Sequence, residues 1–167
     1  PVVGNWGLAT MYKTFAFALA ATTAMAAPAQ AADVYRLLGP VMTAPTAEQI
    51  NPRCDYYISQ IDLRRDALLG DNEAASVDNT LARFDDIAAL MLSAEGESGL
   101  YQQVMLTPEL RDAGGACAAR VAGLSSEISL SRPIYERLSA LDVSGADPLI
   151  QSYYAETMDA FRRAGVS

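Results

Sequence analysis

The stretch TPELRDAGGACAARVAGLSSEISL, residues 107–130, decides the fold class. Thr107 can cap free backbone amides, and Pro108 loses no hydrogen bond at the first position of a helix. Behind them Leu110, Gly114, Cys117, Val121, Leu124 and Ile128 recur at alternating spacings of four and three. That is the period of an apolar stripe that one α-helix packs against another, sustained for about three heptads. The pair Gly114-Gly115 lies inside this helix, where each glycine costs about 1 kcal/mol relative to alanine. Close approach of a second helix or a local bend would explain them, and close approach is the reading favoured here.

The same punctuation continues outward. Pro133 is expected to break or kink the long helix, because it removes a donor and clashes with the preceding turn. A short helix carrying Ile134, Leu138 and Leu141 follows. Asp147-Pro148 opens a last helix with Ile150, Tyr154, Thr157 and Phe161 on one side. Arg162 and Arg163 suit its C-terminal dipole, and Gly165 can close it. On the N-terminal side, Asn51-Pro52 predicts a helix over 52–69 that stops at Gly70, with Cys54, Ile58, Ile61 and Leu68 on one face. Thr46-Ala47-Glu48-Gln49 has capping-box spacing, but Asn51-Pro52 is the stronger start signal, which leaves 32–50 as an extended segment containing Pro40 and Pro45. A helix over 79–93 with Leu81, Phe84, Ala88 and Met91 inward precedes a Gly96/Gly99 loop and a short helix over 100–105. No stretch alternates long enough to argue for a strand. Residues 51–167 read as an all-α array of five or six helices.

Met11 begins a secretion signal over 11–31. Lys13 is the positive n-region, Phe15 to Met25 the apolar run, and Ala29-Gln30-Ala31 the cleavage site. The run is too short for a stable membrane span, which needs about 20 apolar residues. Residues 1–10, which include Trp6, are expected to be upstream sequence of no assigned structure. The exported product is expected to begin near Ala32.

The sequence contains no histidine and carries a net charge of -8. Ser–His–Asp and Cys–His mechanisms and histidine metal sites are therefore excluded. Lys13 is the only lysine, and the remaining basic residues form no stripe, so nucleic acid is not an expected partner. No catalytic, cofactor-binding or metal-binding residue is assigned. Glu95 and Glu97 flank glycines without calcium-loop spacing. Asp85 and Asp86 are neighbours on a helix and point apart, so they read as a solvated face. Tyr56-Tyr57 and Tyr153-Tyr154 read as helix packing in preference to a sugar or peptide platform. Cys54 and Cys117 are the candidate disulfide: an even cysteine count in an exported chain favours a bridge, and two buried thiols are the alternative. The bridge requires α-carbons about 5–6 Å apart.

Several segments carry a resemblance, in order along the chain: Asn79-Thr80-Leu81, Thr107-Pro108-Glu109-Leu110, Ser131-Arg132-Pro133-Ile134-Tyr135-Glu136-Arg137-Leu138, and Phe161-Arg162-Arg163-Ala164-Gly165-Val166. Together they resemble the N-terminal helical region of thimet-oligopeptidase-type zinc peptidases, which include oligopeptidase A and dipeptidyl carboxypeptidase. The likeness covers roughly residues 45–167. It implies the wall of a channel that admits short peptides, with a His-Glu-x-x-His zinc site in a C-terminal catalytic region that this chain does not contain. No catalytic residue carries over. The expectation is therefore the structural N-terminal segment of an exported, periplasmic or secreted peptidase, with both ends of the chain read as cut. The competing expectation is a free-standing periplasmic helical adaptor or peptide-binding module. An adaptor should hide its apolar seams, and a segment of a larger enzyme should leave some exposed.

Overall fold

The computed structural model describes Met42 and residues 44–166. The secretion signal, the residues before it and Trp6 lie outside the described residues. Five α-helices and no strand are found among those described. Helix α1 is Ala47–Leu69; a π-helical turn, Val77–Leu81, runs directly into α2, Ala82–Val104. Helix α3 is Pro108–Ser129, α4 is Arg132–Ser139 and α5 is Pro148–Ala164.

Three helix starts follow the cap-plus-proline device. The Thr107 hydroxyl accepts from the Leu110 amide at 3.4 Å, Ser131 from Ile134 at 3.4 Å, and Asp147 from Leu149 at 2.8 Å. Pro133 stands in the first turn of α4, where no donor is missed, so the break falls before it. Gly165 ends α5 with φ +97°, a left-handed cap that glycine adopts without steric penalty.

Two sequence expectations are corrected. Helix α1 begins at Ala47, five residues before Pro52, so the extended segment is shorter than 32–50 implied. Gln49 Oε1 accepts the Thr46 amide at 2.9 Å, and the extra turn buries Ile50. The amide that Pro52 lacks would have bonded the carbonyl of Glu48, which is exposed and open to water. The second correction is larger. Helix α2 runs unbroken through Gly96 and Gly99, where a loop was expected. Its second half buries Ala94, Glu97, Ser98 and Tyr101, and this burial outweighs the low helix propensity of the two glycines.

Helices α2 and α3 pack along the heptad seam, and α1 lies against both. Gly114, Cys117, Val121, Leu124 and Ile128 are all buried on α3. Close approach accounts for Gly114: a β-carbon there would stand 2.6 Å from the Gln102 amide nitrogen and 2.7 Å from Tyr101 Cβ. Gly96, in contrast, has open space around it. Gly114→Ala is therefore expected to destabilise the fold by about 1–2 kcal/mol, overpacking outweighing the gain in helix propensity. Gly96→Ala should stabilise it by about 0.5–1 kcal/mol. Chemical denaturation of the two variants checks the opposite signs.

At the other end of the core, Asp71 holds the α1–α2 connection. It receives Arg83 Nη1 at 2.9 Å and stands 3.8 Å from Arg137 Nη2. Arg137 Nη1 also donates to the Glu73 carbonyl at 2.7 Å, tying α4 to the same connection.

Candidate functional site

Three features lie outside ordinary core packing: a disulfide, a buried carboxylate beside it, and a long apolar trough. The candidate cysteines are joined. Cys54 on α1 and Cys117 on α3 form a disulfide with α-carbons 5.8 Å apart. Both are buried, and they link residues 63 apart in sequence.

Glu97 projects from α2 into the core beside this bridge, with a side chain only 3% exposed. Tyr57 donates to its Oε2 at 2.6 Å and Tyr101 to its Oε1 at 2.5 Å. Arg53 Nε lies 3.3 and 3.2 Å from the two oxygens, and Nη2 donates to Oε2 at 3.1 Å. The same Nη2 reaches the Tyr57 hydroxyl at 2.9 Å, with the guanidinium 4.8 Å above the Tyr57 ring. Burial alone would raise the Glu97 pKa, but hydrogen bonds from Tyr101, Tyr57 and Arg53, with the Arg53 charge, hold it below the usual range. Burial and the hydrogen bond to Glu97 push Tyr57 up to about 12 and raise Tyr101 as well. The void beside the cluster is only about 10 Å³, too small for a substrate. The carboxylate is saturated by donors and enclosed, so it clamps α1 to α2 and is not placed to act as a general base. Sequence reasoning put Glu97 in a loop; the signal that could have found it is the i, i+4 pair Glu97/Tyr101 in register with Arg53/Tyr57.

The third feature runs between α2 and α5. One part, about 420 Å³, is bounded by Phe84, Ala88 and Met91 of α2, Ile128 of α3, and Tyr153, Thr157 and Phe161 of α5. A second part, about 470 Å³, lies between Val77, Leu81 and Asp85 on one side and Leu149 and Ile150 on the other; Tyr153 lines both. The Phe84 and Phe161 rings, 5.6 Å apart, form part of its floor. The stripe Leu81, Phe84, Ala88 and Met91, expected to face inward, divides. Leu81 is buried with Ile87, Leu90 and Ala94, whereas Phe84, Ala88 and Met91 are half-buried and wall the trough. Asp85 is exposed and lines the second hollow with Tyr153, whereas Tyr56 and Tyr57 lie on α1, so the paired acids and the two tyrosine pairs are not gathered at one site. Tyr154 donates to the Leu138 carbonyl at 3.2 Å.

Among the described residues no three Cys, Asp or Glu side chains converge as metal ligands, and the sequence has no histidine to add. No protein-family model matches the chain, and no curated protein is significantly similar to it.

Proposed function

We propose that the chain is the N-terminal helical wall of an exported zinc-dependent oligopeptidase of the thimet-oligopeptidase type. Zinc does not fit the residues present, because a site of that type requires two histidines and this sequence has none. The zinc and the hydrolysis of short peptides therefore belong to a catalytic region outside this chain.

The observation that carries the reading is the open trough. Open apolar hollows of this kind serve as surfaces that meet other protein, and the neighbouring elements of a larger enzyme would cover them. Here two open apolar hollows of about 420 and 470 Å³ share Tyr153 as a common wall, and Leu149 beside them is 80% exposed. The segments of resemblance support the reading, since three of the four lie at α-helix boundaries. Thr107-Pro108 caps α3, Ser131-Arg132-Pro133 opens α4, and Arg162-Arg163-Ala164-Gly165 ends α5. The disulfide fits an oxidising compartment. No helix among the described residues is long and apolar enough to cross a membrane.

The test is the reading frame past codon 167, together with assay of the purified chain. A frame that continues into His-Glu-x-x-His is expected, while the chain alone should neither cleave fluorogenic peptides nor hold stoichiometric zinc. Zinc-dependent turnover by this chain, or a frame without the motif, would overturn the proposal. The second outcome would favour the free-standing adaptor.

A further inference from the structure

We infer that the trough between α2 and α5 is the seat of an amphipathic helix with basic residues at one end. Resting on the reading above, that helix belongs to the catalytic region. Length supports a helical occupant: from Val77 to Met91 the trough follows α2 for about 20 Å, at a rise of ~1.5 Å per residue. About four turns of helix would lie in it. Its walls are apolar, as helix-in-groove recognition requires, with anchors at i, i+3, i+4 and i+7.

Charge gives the occupant its direction. Asp78 and Asp85 are exposed at the Val77 end, where both line the hollow beside Tyr153. Glu156 lies along the α5 edge, and Arg163 marks the opposite end. The complement is a helix with lysine or arginine facing Asp78 and Asp85 and any acid facing Arg163. A second copy of the chain fits poorly. The exposed apolar stripe that a copy could offer, Leu92, Leu100 and Val104 on α2, has no lysine or arginine among residues 92–104 to meet Asp78 and Asp85.

The experiment uses a fluorescent, helix-stabilised peptide of about four turns with a leucine stripe and lysines at one end, and a twin with glutamates replacing the lysines. The purified chain should bind the lysine peptide at least tenfold more tightly by anisotropy. Asp78→Asn with Asp85→Asn should reduce that preference to about threefold or less. Ala88→Trp should weaken both peptides at least tenfold; Ala160→Trp, at an exposed position of the same wall, should do the same where the first variant folds poorly. Equal binding of the twins, or binding indifferent to both tryptophans, would overturn the inference. So would a dimer that forms without peptide and is abolished by the tryptophans, which would assign the trough to a second copy. Peptide selectivity without a downstream zinc motif would remove the peptidase reading and keep the groove. The motif without selectivity would remove the groove alone.

Discussion

Replacing Cys54 and Cys117 with alanine is expected to lower the stability of the fold by about 4 kcal/mol, the chain-entropy value for a loop of this size. The bridge spans 63 residues and joins α1 to α3, so the unfolded chain loses a large loop's worth of freedom when it is closed. Its effect reaches beyond the two sulfurs. Helix α1 carries Arg53 and Tyr57, and the bridge at Cys54 adjoins Arg53 and stands about one turn before Tyr57. Without it, α1 is retained by apolar contacts, the Glu97 clamp, and the surface contacts Arg120–Asp55 and Arg83 to the Ala67 carbonyl, and should become the first part to open. Urea unfolding of the oxidised, reduced and double-alanine proteins checks this. The reduced and alanine forms should both shift strongly to lower urea, and thermal midpoints should drop on the order of 10–20 °C. A shift below about 1 kcal/mol would mean that the unfolded chain already holds these helices together.

Much of this fold was legible because its punctuation is local. Thr107-Pro108 and Asp147-Pro148 each combine a capping oxygen with a proline and a helix begins at each, whereas Asn51-Pro52 has the same form and lies inside α1. The heptad seam of α3 is equally local, and all of its members from Gly114 to Ile128 are buried. What failed was decided by tertiary contact. Gly96 and Gly99 resemble a loop in sequence, yet α2 continues through them because Glu97 between them has partners on α1 and Tyr101, one turn on, donates to Glu97. A partner 44 residues away, such as Arg53 for Glu97, leaves no trace in a window of helical periodicity. That a segment of a larger enzyme would leave an apolar seam exposed was expected; its shape and extent could not be read. Phe84, Ala88 and Met91 have the period of a buried stripe, and period alone cannot say whether a covering element is present.

Glu97→Leu is expected to cost about 3 kcal/mol or somewhat more, although leucine is apolar and the site is buried. Removing the carboxylate takes a buried counterion from Arg53, leaves the Tyr57 hydroxyl without its acceptor, and leaves Tyr101 only the longer bond to the Met42 carbonyl at 3.4 Å. Losing one member of a buried ion pair typically costs about 3–5 kcal/mol. The lower end applies because the Arg53 side chain keeps 19% of its surface in water. The loss comes from the abandoned partners, so removing them as well should recover most of it. Arg53→Met, Tyr57→Phe and Tyr101→Phe combined with Glu97→Leu should be more stable than Glu97→Leu alone by about 2 kcal/mol or more. The pH response follows from the same cluster. The Glu97 pKa is depressed in the fold, so its contribution is complete above the ordinary carboxylate range and disappears as pH falls through the folded value. Tyr57 is raised to about 12, and its contribution is complete below the unfolded pKa of about 10 and disappears as pH rises through about 12. Tyr101 shifts in the same direction. Unfolding free energy measured against pH should fall at both the acid and the alkaline end. Glu97→Leu should flatten much of the acid slope, and the quadruple variant should lose the contribution of this cluster at both ends. An unchanged acid slope in Glu97→Leu would place the acid-sensitive group elsewhere, and a quadruple variant no more stable than the single would show that cavity loss, not stranded polar groups, sets the cost.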